Sequence, residues 1–496
     1  MKHALTREVA YGSLTRARRA QLHAKFADWL EQAPERKDER ASLLAHHFAE
    51  AVHPEAVELA WRNDAAEVER LRSRAVAWLE RAAELAIGRY EIDNGVALLQ
   101  RALELEPHEA KQAELWRLLG TANALKFDGE AFWVAMQNSL KVCKEPRVCA
   151  ETYSELAFHT AARSTMWKRR PDRELVHSWV RRALEVAERA SPARVRALVA
   201  QAYLERADAL DVAQEASMLA EQLDDPELRS FAFEARSIVA YARGDFDDSC
   251  TWAERRLDLL GEISDPDHRA DVFLAPYRGH LARGRITAAR RCVRLHDSVA
   301  RDLTPHHRVH AVGHVVAVEQ LAGGWETIRA REEHAVETVE ANLETPCLLN
   351  PTTLLACALA AAVLGDDERS RQLEERALAL GMEGYDIALE PSLVQLAILR
   401  GDLSTVGRLL EVRRNDGSPH LWAQSTRLDG LAALGDRVRL ETEAPAVLRP
   451  HTYLEPFALR ALGLVREDEE LIREAIDRFQ AMELDWHVAQ TKLLLQ

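Results

Sequence analysis

Prolines and glycines recur at a nearly constant spacing over the C-terminal part of the chain, and this period limits the possible folds more than any other feature. The prolines stand about 40 residues apart, and the glycines about 34 to 41 residues apart. Four of the glycines follow a proline by 18 or 19 residues, so the two series belong to one repeating unit. The members are Pro192, Pro226, Pro266, Pro305, Pro346 and Pro391, with Gly244, Gly284, Gly324, Gly365, Gly401 and Gly435.

The chemistry of these two residue types indicates what the unit is. Proline lacks an amide hydrogen and fixes its φ angle, so it is tolerated at the start of a helix and disfavoured inside one. Glycine just beyond a helix end adopts the left-handed conformation that closes the helix. Each unit is therefore predicted to be one helix, a tight turn and a second helix. Such a helical hairpin cannot bury its apolar face alone, so it stacks on its neighbours.

The preceding part of the chain follows the same logic less regularly. Trp116-Arg-Leu-Leu-Gly120 matches the W-x2-L-G opening of a tetratricopeptide unit, and Pro146 lies near the expected end of that unit. Residues 72–107 predict another hairpin, which is interrupted around Tyr90–Gly95 and closed by Leu105-Glu-Pro107.

The composition agrees with a helical fold. Aromatic residues are only 6% of the chain, and the abundant alanine, leucine, glutamate and arginine lose little side-chain freedom in a helix. We therefore predict an all-α protein. It comprises a short helical segment over residues 1–64, followed by an α-solenoid of stacked tetratricopeptide-like helical hairpins over residues 65–496.

Charge and hydropathy narrow the range of partners. The net charge of −15 argues against direct nucleic-acid binding, because phosphate groups require a basic surface. The basic clusters Arg16–Arg19 and Lys168–Arg170 are expected to be solvated helix ends or loops. The strongest apolar run, Leu354–Leu364, is far shorter than the ~20 residues that cross a membrane. The charged residues in the opening stretch Met1-Lys-His-Ala-Leu-Thr-Arg-Glu also argue against a secretory signal. We therefore expect a cytoplasmic protein without membrane contact.

The six cysteines lie singly within helical patterns. None belongs to a CxxC pair, and no His/Cys group has zinc-finger spacing. We expect reduced thiols at all six positions: Cys143, Cys149, Cys250, Cys292, Cys347 and Cys357.

The first 60 residues have helical periodicity but do not fit the repeat. One expected apolar face consists of Leu5, Val9 and Leu14, continued by Leu22, Phe26, Trp29 and Leu30. A second consists of Leu44, Phe48 and Ala51. The terminal element of a solenoid ordinarily presents a polar outer face. We therefore expect residues 1–60 to form an interface for a partner, with a self-contained helical cap as the alternative.

Three stretches of this segment carry a resemblance to a known family. They are His3-Ala-Leu-Thr-Arg-Glu-Val-Ala-Tyr-Gly-Ser-Leu14, Arg18-Arg19 with Leu22-His23, and Leu43-Leu44-Ala-His-His-Phe48. They resemble a segment of AAA/STAND-type signal-transduction ATPases, regulators often fused to adenylate cyclase, kinase or DNA-binding output domains. In that family the segment closes a winged-helix-like region after the nucleotide-binding domain, and tetratricopeptide repeats follow. The stretch Phe479-Gln-Ala-Met-Glu-Leu-Asp-Trp486 is similar to the family's C-terminal end.

The departure from this family decides which functions carry over. A phosphate loop requires G-x-x-x-x-G-K-[ST], and this chain contains no Gly-Lys dipeptide. Because the resemblance begins at Met1, we expect no nucleotide-binding domain here. Neither ATPase nor cyclase chemistry can then be assigned to any residue. The resemblance implies the sensor and scaffold arm of such a regulator.

Histidines, carboxylates and tryptophans are the candidate site residues, and each group has a structural role that we expect instead. His306, His310 and His314 share one helix face, but a third ligand from the same helix cannot complete a tetrahedron. We expect an ordinary polar face there and no metal.

His46-His47 lacks the H-E-x-x-H pattern of a metalloprotease. The acidic pairs Asp224-Asp225, Asp247-Asp248 and Asp366-Asp367 are expected to cap helices. Core positions in hairpins are expected for Trp61, Trp116, Trp252, Trp325 and Trp422.

The sequence thus predicts a regulatory scaffold without catalytic, cofactor-binding or metal-binding residues. Its partner would be a protein or peptide, such as an ATPase, cyclase or kinase domain supplied upstream or in trans. Two alternatives remain open. The chain could bind a small effector molecule inside the superhelix, or it could be a fragment of a cyclase or ATPase regulator whose activity lies in sequence upstream.

We expect the chain not to bind ATP specifically, because it lacks the backbone cradle and lysine of a phosphate loop. Titration of a fluorescent ATP analogue with and without Mg²⁺ checks this expectation. A saturable, stoichiometric and Mg²⁺-dependent signal at micromolar concentration would contradict it.

Overall fold

The computed structural model describes residues 9, 11–33, 37–62, 64–163, 166–169, 171–345, 347–381, 386–411 and 421–496. Every regular element within these ranges is a helix, and none is a strand. Over residues 16–142 and again over residues 192–492, successive helices pair as hairpins that pack on their neighbours. The predicted fold class, an all-α array of stacked helical hairpins of solenoid type, is confirmed.

The chain forms two compact units. The N-terminal unit comprises the residues up to Leu156 together with Arg182–Ala187, and the C-terminal unit comprises Ala157–Arg181 and Glu188–Gln496. The helices of the N-terminal unit are α1 Arg16–Gln32, α2 Ala41–Ala51, α3 Pro54–Ala60, α4 Ala65–Gly88, α5 Ile92–Leu105, α6 Glu109–Leu125 and α7 Gly129–Val142. Two further helices have residues in both units, namely α8 Pro146–Ala162 and α9 Arg173–Val186.

The C-terminal unit contains the regular repeats. Its helices are α10 Pro192–Glu205, α11 Leu210–Leu223, α12 Pro226–Arg243, α13 Phe246–Asp258, α14 Pro266–Asp271, α15 Leu274–Ala282, α16 Ile286–Ala300, α17 Pro305–Ala322, α18 Trp325–Arg329, α19 Glu332–Glu340, α20 Leu349–Val363, α21 Asp367–Ala379, α22 Asp386–Leu399, α23 Leu403–Leu410, α24 Leu421–Ala433, α25 Arg437–Val447, α26 Glu455–Arg466, α27 Glu469–Ala481 and α28 Asp485–Lys492. Single 3-10 turns occur at Asp38–Arg40, Arg206–Asp208 and Leu493–Leu495. No described helix is both long and apolar enough to cross a membrane.

Most of the repeat prolines begin helices, as predicted. A proline at the first helical position costs nothing, because that residue's amide has no partner within the helix. This position is occupied by Pro192, Pro226, Pro266 and Pro305. The prediction is wrong for Pro391, which lies inside α22 because that helix already begins at Asp386. Pro346 lies outside the described residues.

The predicted turn glycines close their helices, with one shift of register. Left-handed φ angles between 64° and 84° occur at Gly244, Gly284, Gly365, Gly401 and Gly435. In the remaining turn the left-handed residue is Gly323, with φ 74°, and not Gly324. The reason is that α17 ends at Ala322, one residue before the predicted position.

The two irregular hairpins of the N-terminal unit also form. Gly120 of the W-x2-L-G motif lies where α6 meets α7, and a Cβ atom there would stand 2.9 Å from Cε of Met136. The preceding hairpin, α4 with α5, turns through Tyr90, which has a left-handed φ of 64°. The interruption is shorter than predicted, because α5 resumes at Ile92 and Gly95 lies inside it.

The core of the N-terminal unit runs through the predicted boundary at residue 64. Leu44 and Phe48 of α2 share one hydrophobic cluster with Leu71 of α4 and Leu115 of α6. All four side chains are fully buried. The assignment of residues 1–64 to a separate region therefore stays a prediction from the family resemblance.

Two cysteines correct the expectation of six thiols. Cys143 and Cys149 form a disulfide, with their Cα atoms 6.0 Å apart. Helix α7 ends at Val142 and α8 begins at Pro146, so the short connection brings the first turn of α8 back to Cys143. A CxxC search misses this pairing because the turn, and not the spacing, brings the sulfurs together. The four free cysteines are all buried: Cys250, Cys292, Cys347 and Cys357.

We expect thiol titration to reveal this disulfide. The denatured, unreduced chain should expose four thiols, and the reduced chain six. Cys143→Ser should raise the unreduced count by one, because Cys149 then loses its partner, whereas Cys357→Ser should lower it by one. Six reactive thiols before reduction would show that the bond does not form.

Candidate functional site

Helix α1 has two apolar faces, and only one of them is covered. Its small residues Ala20, Ala24 and Ala27 are buried, which allows α2 and α3 to pack closely against α1. The larger side chains point elsewhere: Phe26 is 40% exposed and Trp29 is 64% exposed. Large aromatic side chains left in solvent in this way are typical of protein–protein contacts.

The exposed face continues onto α2. The ring of Phe26 lies 5.6 Å from Trp29 and 4.6 Å from His47, measured between ring centroids. Leu43 and His46 are exposed on α2 within one turn of His47. We call this surface the α1–α2 face, and it comprises Leu22, Phe26, Trp29, Leu43, His46 and His47. The predicted residues Val9 and Leu14 are exposed and half-buried respectively, and Leu5 lies outside the described residues.

Acidic side chains of α1 are used inside the unit. Asp28 forms a two-bond ion pair with Arg70 of α4, with N···O distances of 2.9 and 3.0 Å. Glu31 accepts a hydrogen bond of 2.6 Å from the indole nitrogen of Trp78. The exposed stripe of the same helix instead carries Arg18 and Lys25, one turn apart from the apolar residues. The α1–α2 face is therefore apolar with a basic edge, in a chain whose net charge is negative.

Histidine contacts hold α1 to α2 at the edge of this face, where His23 of α1 meets His47 of α2. His23 Nδ1 lies 2.6 Å from His47 Nδ1, and the hydroxyl of Tyr11 lies 2.9 Å from His23 Nε2. Burial, together with the neighbouring His23 and His46, lowers the pKa of His47 to about 4. The ring of His47 is therefore neutral. With His46, these nitrogens lie close enough to hold a metal ion. However, the hydrogen bonds already engage both nitrogens of His23, and we interpret the group as structural.

The C-terminal unit contains a buried ionic network that sequence analysis missed. Arg256 is fully buried, and its guanidinium contacts Glu234 at 2.8 Å and Asp271 at 2.6 Å. Arg278 contacts the other oxygen of Glu234 at 2.9 Å. Burial alone would lower the pKa of Arg256, but the two carboxylates raise it. Although burial opposes the effect, Arg256 lowers the pKa of Asp271 to about 2. All these charges are matched by partners, so the network is a structural element rather than a reactive one.

A second, largely buried group joins α14 and α17 to Arg163, the residue directly after α8. Asp267 contacts Arg163 at 2.6 Å and His307 Nε2 at 2.9 Å. The other ring nitrogen of His307 lies 2.7 Å from the hydroxyl oxygen of Thr304. These partners lie at least 40 residues apart in sequence, except for Thr304 and His307. No local motif could have revealed them.

The predicted polar face of α17 is enclosed within the C-terminal unit. His306 is buried, and His310 and His314 are half-buried, so this polar face lies largely inside the unit rather than in solvent. The rings of His306 and His310 are 4.6 Å apart, and those of His310 and His314 are 5.7 Å apart. Cys347 Sγ lies 3.4 Å from His310 Nε2. The structure thus brings a thiol to two of the three predicted histidines.

The remaining predicted residues have structural positions. Asp225 and Asp366 cap helices through their side chains, whereas Asp247 and Asp248 lie in the first turn of a helix that Asp245 caps. The predicted tryptophans pack on hydrophobic cores, with Trp325 fully inside and the others half-buried: Trp61, Trp116, Trp252 and Trp422. The basic clusters are exposed or partly exposed at the start of α1 and at Lys168–Arg169, and Arg170 lies outside the described residues.

A cleft of about 520 Å³ in the C-terminal unit tests the alternative of a small-molecule effector. It runs past the turn at Gly284 and is lined by Arg283, Arg478 and Glu455 among others. Arg283 is paired with Asp247 at 3.2 Å, and Arg478 with Glu455 at 3.3 Å. These two guanidinium groups are thus engaged by carboxylates of the chain itself. The cleft does not favour an effector over a protein partner.

No family model and no curated protein matches the sequence. Among solved structures, the TPR domain of P58(IPK) is 11% identical with a TM-score of 0.25, over 85% of this chain and 98% of that chain. The pentatricopeptide repeat protein PPR10 from maize is 14% identical with a TM-score of 0.27, over 97% of this chain and 73% of that chain. Similarity at this level supports no conclusion about function. The assignment of the fold rests on the helices themselves.

Buried neutral histidines make the stability of the C-terminal unit depend on pH. Burial lowers the pKa of His268 and His487 to about 3 and that of His296 to about 4, and it holds the pKa of His159 well below its usual value. Below about pH 6.5 the unfolded chain binds protons that the folded chain does not bind. The free energy of unfolding therefore decreases as the pH is lowered, by about 1.4 kcal/mol per pH unit and per imidazole. Burial also raises the pKa of Asp265 to about 6, which opposes this trend for one group.

We expect the free energy of urea unfolding, measured with EDTA present, to fall steeply from about pH 6.5 to about pH 5. His487→Gln should flatten this slope by about one proton, whereas His334→Gln, at an exposed position, should leave it unchanged. A stability that does not change over this range would show that these imidazoles are not held neutral.

Proposed function

We propose that this chain is a non-catalytic protein-binding module, the sensor arm of an ATPase-type signal-transduction regulator, and that the α1–α2 face receives its partner. The exposure of Trp29 carries this proposal: 64% of the side chain lies in solvent beside an exposed Phe26. Protein interfaces concentrate their binding energy in such aromatic residues.

The energetic argument concerns the apolar area that remains outside the core. Burying one large apolar side chain is worth roughly 1.5–3 kcal/mol. Phe26 and Trp29 lie in contact with one another and with His47, so one partner surface can cover them together. His47 is neutral, which removes the cost of burying a charge at the edge of the patch.

The chemistry of the face defines the partner. Arg18 and Lys25 lie on the same exposed stripe as Leu22 and Trp29, whereas the acidic residues of α1 point towards α4. A helix with an apolar stripe and an acidic edge would match this face in shape and charge. The resemblance to AAA/STAND-type regulators supports the same choice, because in that family this segment closes the winged-helix-like region that follows the nucleotide-binding domain.

Two observations support a binding role over a catalytic one. The charges of the network around Arg256 are matched by partners, as expected of structural ion pairs. In addition, the α1–α2 face is exposed and largely apolar, which suits a macromolecule better than a small substrate.

The proposal predicts which substitutions weaken binding. The probe is the recombinant nucleotide-binding and winged-helix-like region of an AAA/STAND-type regulator from the same genome, titrated calorimetrically against the full chain. Trp29→Glu should weaken binding at least tenfold, about 1.4 kcal/mol, because it places a charge in the centre of the buried patch. Val134→Glu, at an exposed apolar position elsewhere in the N-terminal unit, should leave binding unchanged.

Hydrogen exchange provides the second readout. The partner should slow exchange over residues 16–32 and 41–51 and leave α6 and α7 unaffected. If residues 16–32 are as strongly protected without the partner as with it, the segment is a self-contained cap and the proposal fails.

A further inference from the structure

Two histidines of α17 and one distant cysteine converge in the interior of the C-terminal unit. His306 and His310 lie one turn apart near the start of α17, and Cys347 lies just before α20. One ligand atom from each of the three residues lies within 4.8 Å of the other two. His306 is 2% exposed and Cys347 is 1% exposed.

We propose that His306, His310 and Cys347 bind a transition-metal ion of the zinc class through two imidazole nitrogens and one thiolate sulfur. Imidazole and thiolate are the ligands that Zn²⁺ prefers in proteins, and three protein ligands leave one tetrahedral position for a water molecule. The third ligand comes from outside the helix. This removes the objection that three histidines of one helix cannot surround an ion.

The observed distances are close to those a metal requires. Bonds of about 2.0–2.1 Å to nitrogen and about 2.3 Å to sulfur place two tetrahedral nitrogens about 3.3 Å apart and a nitrogen and a sulfur about 3.6 Å apart. Cys347 Sγ and His310 Nε2 are already 3.4 Å apart, and no pair in the group exceeds 4.8 Å. Shifts of about 1 Å or less, within the reach of side-chain rotation, would complete the site.

Hydrogen bonds outside the cluster hold its two halves in place. On α17, Pro305 occupies the first helical position, and the neighbouring His307 is held by Thr304 and Asp267. This anchorage fixes the start of α17, from which His306 and, one turn later, His310 project.

On the other side, an amide pair holds the segment that carries the thiol. Asn342 Nδ2 donates to Asn350 Oδ1 at 3.2 Å, and Asn350 Nδ2 donates to the Asn342 carbonyl at 3.4 Å. The backbone N–H of Asn350 also donates to the Cys347 carbonyl at 3.1 Å. Supporting contacts of this kind are what orient metal ligands in proteins.

The charge balance of binding is straightforward. Burial lowers the pKa of His310 to about 3, so its imidazole is neutral and has a nitrogen lone pair for the metal. Burial raises the pKa of the Cys347 thiol to about 12, so the thiol is protonated until a metal arrives. On binding, the S–H bond breaks, the metal–sulfur bond forms and the proton passes to solvent. The thiolate then cancels one of the two charges of the ion.

The competing interpretation is a purely structural contact, in which the Cys347 thiol donates a weak hydrogen bond to His310 Nε2. Co²⁺ distinguishes the two, because a Co²⁺–thiolate bond produces a charge-transfer absorption band in the near ultraviolet that a hydrogen bond cannot produce. The full chain is stripped with chelator, loaded with Zn²⁺ or Co²⁺, dialysed, and measured by elemental analysis and absorption spectroscopy.

We expect about one equivalent of metal per chain and a thiolate–Co²⁺ band. His306→Ala and Cys347→Ser should lose both. Three controls should retain both: His314→Ala, one turn further along α17, Cys357→Ser, a buried thiol in the same unit, and His46→Ala, in the histidine group of the N-terminal unit.

Two outcomes would overturn the proposal. One is the absence of stoichiometric metal or of the thiolate band in the unmodified chain, a measurement that does not depend on the folding of any variant. The other is full retention of metal in Cys347→Ser.

Discussion

The close packing of paired helices through small residues is the constraint on which this structure depends. In α20, Ala356, Ala358 and Ala360 are fully buried, so neighbouring helices approach on more than one side. Glycines such as Gly120 serve the same purpose where even a methyl group would collide. Because each hairpin buries little by itself, the large side chains of clusters that extend over several hairpins, such as Phe457 and Phe479, supply the apolar area that holds the array together.

This constraint explains why the aromatic face of α1 is informative. Helix α1 satisfies the packing rule on its alanine face, where Ala24 and Ala27 meet the core. Its other face has the large apolar side chains that elsewhere lie between hairpins, yet Phe26 and Trp29 are exposed. Within the described residues, no neighbouring hairpin covers them. A surface built like the inside of the array, but facing solvent, has the composition of an interface.

The sequence predicted those parts of the fold that depend on the backbone preferences of single residues. Proline and glycine restrict or permit a φ angle wherever they stand, so Pro226 and Gly244 revealed their hairpin without knowledge of its neighbours. The errors arose where the outcome depends on residues further along the chain. Helix α22 contains Pro391 in its interior, and Cys143 bonds to Cys149 because a turn brings them together. Arg256 contacts Glu234 and Asp271 only once the helices have stacked. The α1–α2 face was predicted because its apolar residues follow a helical period, whereas its exposure required the structure.

The same distinction separates the two kinds of polar group in the C-terminal unit. Arg256 and its carboxylates satisfy one another, and adding an ion there would unbalance the charges. His306, His310 and Cys347 are different, because all three are neutral and each has an electron pair for a soft cation. Sequence periodicity showed the two histidines but could not show the thiol, which lies 37 residues from His310 in the segment just before α20. A helix contributes at most two well-placed ligands from one face, so a metal site in a helical repeat protein requires a second segment. Only the stacking of hairpins can bring that segment into reach.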